Sequence, residues 1–177
     1  KKEVRNFSIL KNIDDNLKEY KRVKKKLDFN DMIYKLIEKE DLPRFKVIFI
    51  DEAQDLSPLQ WKLYDRLKEQ TDDIYLAGDD DQAIFAWAGA DVRRFIEEPA
   101  KEKVLKYSKR ISKSVQEHSV VPLTNIVGQR KEKQYYPREF EGECLKINNL
   151  DQIDLTEGKW LILTRTINRL LKMKTEL

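Results

Sequence analysis

The segment from Lys46 to Asp55 (KVIFIDEAQD) constrains the fold of this chain more than any other stretch. Its apolar run, Val47 to Ile50, is rich in β-branched residues, which predicts a short strand buried on both faces, as in a parallel sheet. The run ends directly in Asp51 and Glu52. Open α/β sheets bind ligands just outside the carboxyl ends of their strands, so we expect these two carboxylates to lie at such a site.

Adjacent carboxylates at that position suit the chemistry of phosphate transfer to water. One carboxylate, Asp51, can hold Mg²⁺, which prefers oxygen ligands and often binds substrate phosphates as well. Its neighbour, Glu52, can orient or deprotonate a water molecule. This is the layout of a Walker B site in a nucleoside triphosphatase. The alternative is an acidic turn that only ends a strand.

A second acidic cluster follows a second predicted strand, Asp73 to Ala77, and reads GDDDQ from Gly78 to Gln82. Glycine leaves the backbone free to approach a phosphate-sized ligand. Gln82 carries both a donor and an acceptor, so it can contact a phosphate oxygen and a water together. Phe85 and Trp87, just beyond it, are either stacking platforms for single-stranded bases or residues of the core.

The rest of the chain is predicted to alternate helices and strands. Asp28 and Ser57 are expected to cap helices, Ser57 as part of a capping box with Gln60. Helices are predicted over about 14–26, 58–69 (packing Leu59, Leu63 and Leu67), 112–129 (interrupted by Pro122) and 166–177. Two more are predicted, one after Asp28 that Pro43 breaks and one that begins at Asp91. Further strands are predicted at 103–107, 143–149 and 159–164, and a polar loop at 129–143. The order strand, helix, strand, helix, strand predicts an α/β fold with a parallel sheet.

Composition limits the classes of partner. The net charge is only +3 although 38% of the residues are charged, so any nucleic-acid binding has to come from local patches. The single cysteine, Cys144, excludes an internal disulfide, fits a reducing compartment, and is expected to be buried. The chain has no run of about 18 apolar residues and no signal-peptide pattern, which predicts a soluble, intracellular protein without a membrane partner.

The two acidic segments, DEAQD and GDDDQAIFAWAGA, resemble motifs II and III of the superfamily 1 DNA helicases of the UvrD/Rep type. Three weaker matches extend the resemblance: DFNDMI from Asp28, the stretch Leu105–Ile111, which is similar to motif IV, and LTRT from Leu163 with Asn168. The resemblance implies a partial RecA-like P-loop NTPase domain with a parallel sheet, plus the start of a second such domain. Residues 1–108 would be the C-terminal part of the first domain and residues 109–177 the beginning of the second.

The family's nucleotide-site roles are carried over to four residues. Asp51 would coordinate Mg²⁺, and Glu52 would be the general base that activates the attacking water. Gln82 would contact the γ-phosphate of ATP and link the nucleotide to the DNA path. Arg110 would act as an arginine finger from the cleft between the domains; its alternative is a surface charge.

The resemblance also implies DNA contacts. Phe85 and Trp87 would stack on bases of single-stranded DNA, and Arg165 and Asn168 would touch the DNA backbone, unless they are ordinary polar residues at a strand end. The expected protein is a cytoplasmic, bacterial or phage-like helicase that acts on single-stranded or duplex DNA.

The sequence departs from the family pattern at several positions. Ala88 stands where the family usually has arginine, Phe85 where it often has tyrosine, and Lys109 where motif IV has tyrosine. The Walker A pattern G-x-x-x-x-G-K-[ST] does not occur in these 177 residues. We therefore expect an internal fragment of a helicase that is inactive by itself and that self-associates through exposed apolar surface.

Two other functions remain open. One is a degenerate helicase-like module that binds single-stranded DNA or a protein partner without hydrolysis. The other is the motor subunit of a helicase–nuclease. RNA is a less favoured substrate than DNA.

Overall fold

The structure, a computed structural model, describes residues 2–126 and 130–176. They form a mixed α/β fold whose helices and strands, in chain order, are α1 (Lys2–Lys24), α2 (Phe29–Ile37), β1 (Phe45–Ile50), α3 (Pro58–Lys68), β2 (Thr71–Leu76), α4 (Val92–Glu97), α5 (Lys113–Thr124) and α6 (Ile167–Glu176). Single 3₁₀ turns lie at Ala53–Asp55, Asp80–Gln82, Ala86–Ala88 and Leu150–Gln152. None of the described helices is long and apolar enough to cross a membrane.

The sheet consists of β1 and β2, which pair in parallel as predicted, with Ile50 opposite Leu76. The pairing continues beyond the strand ends. The Ala77 N–H donates to the Ile50 carbonyl at 2.8 Å, and the Ala53 N–H donates to the Ala77 carbonyl at 2.9 Å. These two bonds fix the loops that follow β1 and β2 beside each other.

The prediction that β1 is buried on both faces is wrong for the described residues. Phe49 is 76% exposed and stacks on Tyr75 of β2, with the ring centroids 5.1 Å apart. The physical reason is that α3 packs against α2 and β2, while β2 is the one strand that flanks β1 in the described part of the chain. The apolar run is therefore a strand with an open face.

The three other predicted strands are also absent from the described residues. Positions 103–107 form only a single bridge, in which the Tyr136 N–H donates to the Lys106 carbonyl and the Ser108 N–H to the Tyr136 carbonyl. Segments 143–149 and 159–164 are irregular, and Leu161 is exposed. A strand needs a neighbour to take its backbone hydrogen bonds, and no described strand lies beside these segments.

The helix predictions are largely confirmed. Asp28 caps α2 in a capping box with Asp31, and Ser57 caps α3 in one with Gln60. α1 begins earlier than predicted, and α5 ends at Thr124 with Pro122 in its last turn, so the predicted helix to Gln129 is too long. Residues 127–129 lie outside the described part. Cys144 is half-buried rather than buried.

The small core of the described fold consists of four buried apolar residues, Leu42, Ala53, Trp61 and Tyr64. α3 buries Trp61 and Tyr64 rather than the predicted leucine stripe, whose members are half-buried. The Arg94 guanidinium lies over the Trp61 ring at 5.4 Å. The buried Glu98 accepts from the Tyr64 hydroxyl at 2.7 Å and pairs with Lys68 and Arg94.

The environment of Glu98 favours its charged form. Burial by itself would raise its pKa, but the hydrogen bonds from Lys68 and Tyr64 outweigh burial and hold the pKa of Glu98 below its usual value. The carboxylate therefore joins α3 to α4 as an ion.

Two tryptophans provide a matched test of this core. Trp61 is 3% exposed and Trp87 is 84% exposed. Trp61→Ala is expected to lower the free energy of unfolding by about 3–5 kcal/mol, because it leaves a cavity. Trp87→Ala should change it by less than about 0.5 kcal/mol. Urea unfolding of both variants measures the difference, and equal losses would contradict the assigned core.

Candidate functional site

The candidate site lies at the carboxyl edge of the two-stranded sheet, where the acidic segments that follow β1 and β2 meet. Asp51 and Glu52 follow β1, and Gly78 to Gln82 follow β2. The parallel register and the two backbone bonds beyond it place both segments at one edge. The two acidic segments, each predicted to follow a strand, therefore lie side by side.

Glu52 has a backbone conformation that non-glycine residues seldom adopt. Its φ is +52° and its ψ is +41°, in the left-handed region, which costs about 1–3 kcal/mol. The Asp51 carboxylate accepts the Glu52 N–H at 3.0 Å and so stabilises this turn. Both side chains remain exposed to solvent, which leaves carboxylate oxygens accessible to a ligand.

Gln54 joins the two loops, and sequence reasoning did not single it out. It is 1% exposed. Its Nε2 donates to Glu52 Oε2 at 2.7 Å, and its Oε1 accepts the Asp79 N–H at 3.0 Å. An amide can do this because it carries both a donor and an acceptor. The sequence signal that could have identified Gln54 is an uncharged polar residue among the carboxylates of the DEAQD segment.

Gly78 makes room for this bridge. A Cβ atom there would lie 2.7 Å from Gln54 Oε1 and 2.9 Å from Phe95 Cζ. The close approach, rather than an unusual φ, is what requires glycine at this position. The glycine predicted to admit a phosphate therefore admits the Gln54 amide.

Gln82 is held by Asp79. The Gln82 Nε2 donates to Asp79 Oδ2 at 2.6 Å, and its backbone N–H donates to the Asp79 carbonyl at 2.9 Å. Burial by itself would raise the pKa of Asp79, but the bonds from Lys133 and Gln82 outweigh burial and lower it. Asp79 is thus an ionised acceptor that orients the exposed Gln82 side chain.

Three consecutive carboxylates, those of Asp79, Asp80 and Asp81, are here called the acidic triad. They form ion pairs with two cations of a segment that was predicted only as a polar loop. Arg130 makes two bonds to Asp81, of 2.6 and 3.0 Å. The Lys133 ammonium contacts all three carboxylates of the triad. Three of the four residues from Arg130 to Lys133 (RKEK) are basic, but nothing in that sequence indicates which carboxylates they contact.

Phe85 and Trp87 are both exposed, which excludes the alternative that they are core residues of the described fold. Their ring centroids lie 6.5 Å apart, and Trp87 is the more exposed of the two. Phe85 also lines a cleft of about 590 Å³ between the start of α2, the start of α3 and the turn at Gly89. Two accessible aromatic faces are therefore available beside the acidic edge.

Arg110 and Asn168 are not brought to this edge by any side-chain contact among the described residues. Both are exposed. The Arg110 backbone N–H is held by Ser108 Oγ at 3.2 Å, while its guanidinium has no hydrogen-bond or ion-pair partner in the described part of the chain. Asn168 lies in the first turn of α6.

The described residues contain no group of three or more histidine, cysteine or acidic side chains arranged to hold a metal ion. A single accessible carboxylate can still serve Mg²⁺, which commonly takes one or two protein carboxylates and completes its shell with water and substrate phosphates. Asp51, with its exposed carboxylate at the sheet edge, is such a donor.

The family model and the similar proteins found by comparison point to the same family. The model of the UvrD/REP helicase N-terminal domain matches residues 1–104. The chain is 35% identical over 78 residues to ATP-dependent DNA helicase Rep of Buchnera aphidicola, an alignment covering 39% of this chain and 12% of that protein. It is 38% identical over 66 residues to DNA helicase II of Haemophilus influenzae (34% and 9%), and 34% identical over 109 residues to RecBCD enzyme subunit RecB of Buchnera aphidicola (55% and 9%). The chain thus spans about a tenth of the length of these curated relatives.

The bridge made by Gln54 can be tested by its removal. Gln54→Leu is expected to lower the free energy of unfolding by about 1–3 kcal/mol, because it leaves the half-buried Asp79 N–H without its acceptor. Gln82→Leu, at an exposed glutamine of the same site, should cost less than about 1 kcal/mol. Chemical denaturation compares the two variants; a Gln54→Leu protein as stable as the unmodified chain would refute the bridge.

Proposed function

The chain belongs to the UvrD/REP helicase N-terminal domain family, and on that premise we propose that it is part of an ATP-dependent DNA helicase that couples ATP hydrolysis to movement on single-stranded DNA. The observation that carries this proposal is the buried Gln54, which joins the Walker B-type loop of Asp51 and Glu52 to the loop of Gln82. The fixed contact between the two loops supports a site in which both face one nucleotide.

Asp51 is proposed to hold Mg²⁺, which supplies charge neutralisation for the β- and γ-phosphates. Glu52 is the proposed general base. Its Oε2 accepts from Gln54, so Oε1 is left to accept a proton from the attacking water. Gln82 keeps its carbonyl and one N–H for a water and a γ-phosphate oxygen, since its other N–H is bound to Asp79.

Phe85 and Trp87 are proposed to stack on the bases of single-stranded DNA. Each stacked base contributes about 1–3 kcal/mol and tolerates any sequence. The exposure of both rings supports this role. Arg165 and Asn168 are proposed to contact the DNA backbone from the exposed start of α6 and the residues before it.

The finer domain organisation is part of the same proposal. Residues 1–108 are assigned to a first RecA-like domain and residues 109–177 to the start of a second. Arg110 is assigned to the cleft between the domains, as an arginine finger. The chain by itself is proposed to be inactive. It is also proposed to self-associate through exposed apolar surface such as the Phe49–Tyr75 stack.

A second candidate is the motor subunit of a larger, multisubunit enzyme. It is favoured by one observation: the match to RecBCD enzyme subunit RecB covers 109 residues, more than the match to Rep. The proposed motor chemistry is the same in both cases, and the difference lies in the partners.

Steady-state ATP hydrolysis by the full-length helicase that contains this chain tests the motor function. Hydrolysis should be stimulated by single-stranded DNA, and Glu52→Gln should lower kcat by about 10²–10⁴-fold, because the attacking water loses its base. Glu117→Gln, at an exposed position of α5, is the matched control and should leave kcat unchanged.

The same assay separates the motor from a module that only binds DNA. Phe85→Ala with Trp87→Ala should abolish the stimulation by DNA but retain DNA-free hydrolysis. If the unmodified helicase binds single-stranded DNA and hydrolyses no ATP, the motor function is wrong, and the degenerate binding module replaces it.

A further inference from the structure

The basic segment from Arg130 to Lys133, here called the basic arm, makes the longest-range polar contacts of the candidate site. Its bonds to the acidic triad join residues that are far apart in the chain, from Arg130 with Asp81 to Lys133 with Asp79. Besides the Arg130 and Lys133 side chains, the Lys131 backbone N–H donates to Asp80 Oδ2 at 2.7 Å. The arm therefore holds the loop after β2 from outside the sheet.

Lys133 is the centre of this contact. Its side chain is 12% exposed, and its ammonium lies 2.8 Å from Asp79 Oδ1 and 3.3 Å from Asp81 Oδ2, with Asp80 as its third partner. Burial by itself would lower the pKa of Lys133, but the bonds to Asp79 and Asp80 outweigh burial and raise it. Without this cation, three adjacent carboxylates would repel one another in a half-buried loop.

The contact continues from Lys133 to Gln82 through one residue. Asp79 accepts from Lys133 on Oδ1 and from the Gln82 amide on Oδ2. The backbone N–H of Asp79 also donates to Gln54, which in turn bonds Glu52. A displacement of Asp79 would thus move the Gln82 side chain and disturb the bridge to Glu52.

The basic arm is also continuous with the stretch that carries Arg110. Three residues beyond Lys133, Tyr136 bridges Tyr107, and the Arg138 N–H donates to the Ile111 carbonyl at 2.9 Å. The segment 130–138 therefore contacts the acidic triad at one end and the backbone on both sides of Arg110 at the other.

We propose that Lys133 is a positioning residue for Gln82: it holds the Asp79 carboxylate, and Asp79 holds the Gln82 amide in the orientation used in ATP hydrolysis. This inference rests on the proposed function, in which Gln82 contacts the γ-phosphate. Arg130 assists by fixing Asp81, so that Lys133 is not drawn away from Asp79. The basic arm thereby ties the position of Gln82 to the segment that carries Arg110.

The test replaces Lys133 by methionine in the full-length helicase, which removes the charge and keeps an unbranched side chain. Lys133→Met is expected to lower the DNA-stimulated kcat by about 10–100-fold, as for a displaced catalytic group. The KM for ATP should change by less than about threefold, because the Lys133 ammonium is paired with the acidic triad. Lys133→Arg should restore most of the kcat.

Lys131→Met is the matched control. It removes a charge from the same arm, but the Lys131 ammonium pairs with Glu102 and not with the triad. It should leave kcat and KM unchanged. Equal loss in both lysine variants, or an unchanged kcat in Lys133→Met, would overturn the inference.

A second measurement does not depend on activity. In the ¹⁵N-labelled full-length helicase, the Gln82 side-chain N–H that donates to Asp79 should exchange with solvent more slowly than the second N–H of the same amide. Lys133→Met should accelerate exchange of the bonded N–H by about tenfold, while Lys131→Met should not. Unchanged exchange in Lys133→Met overturns the positioning role even if the helicase hydrolyses ATP. Faster exchange in a helicase without ATPase activity would support the positioning contact and contradict the proposed function alone.

Discussion

The amide of Gln54 is the interaction on which the organisation of the candidate site depends. Its donor faces Glu52 and its acceptor faces the Asp79 backbone, so one uncharged group satisfies both loops at once. The side chain is buried, and a lost bond there would cost about 1–3 kcal/mol rather than be replaced by water. The two backbone bonds beyond the strand ends hold the loops side by side. Gly78, which has no Cβ atom, leaves room for the amide to span them.

Charge divides this acidic edge into two parts with different roles. Each carboxylate of the acidic triad is ion-paired with Lys133, and Asp81 is also ion-paired with Arg130, so all three are occupied by protein cations. Asp51 and Glu52 have no such cation among the described residues and face solvent. Of the carboxylates at this edge, those of Asp51 and Glu52 are available to a metal ion and a water, while the acidic triad holds Gln82.

Local features of the sequence predicted local structure well. Asp28 caps α2 and Ser57 caps α3 as predicted, and Pro58 opens α3, because capping depends on residues within one helical turn. The parallel pairing of β1 and β2 followed from two apolar runs with a helix between them. The position of both acidic loops at one sheet edge followed from that pairing.

Features that depend on distant residues were missed or wrong. The stretches around Leu105 and Leu161 have the composition of strands but no neighbouring strand in the described part of the chain. The basic arm contacts Asp80 and Asp81 across about 50 residues, and nothing in the local pattern around Lys133 indicates that partner. Gln54 was missed because its role depends on a loop 25 residues away.

The most direct test of the account is a structure of the full-length helicase with Mg²⁺, a non-hydrolysable ATP analogue and single-stranded DNA. The account predicts the metal on Asp51, a water within hydrogen-bond distance of Glu52, the Gln82 amide between Asp79 and the γ-phosphate, and bases against Phe85 and Trp87. A nucleotide bound away from both acidic loops, or a Gln54 side chain that no longer joins them, would contradict it.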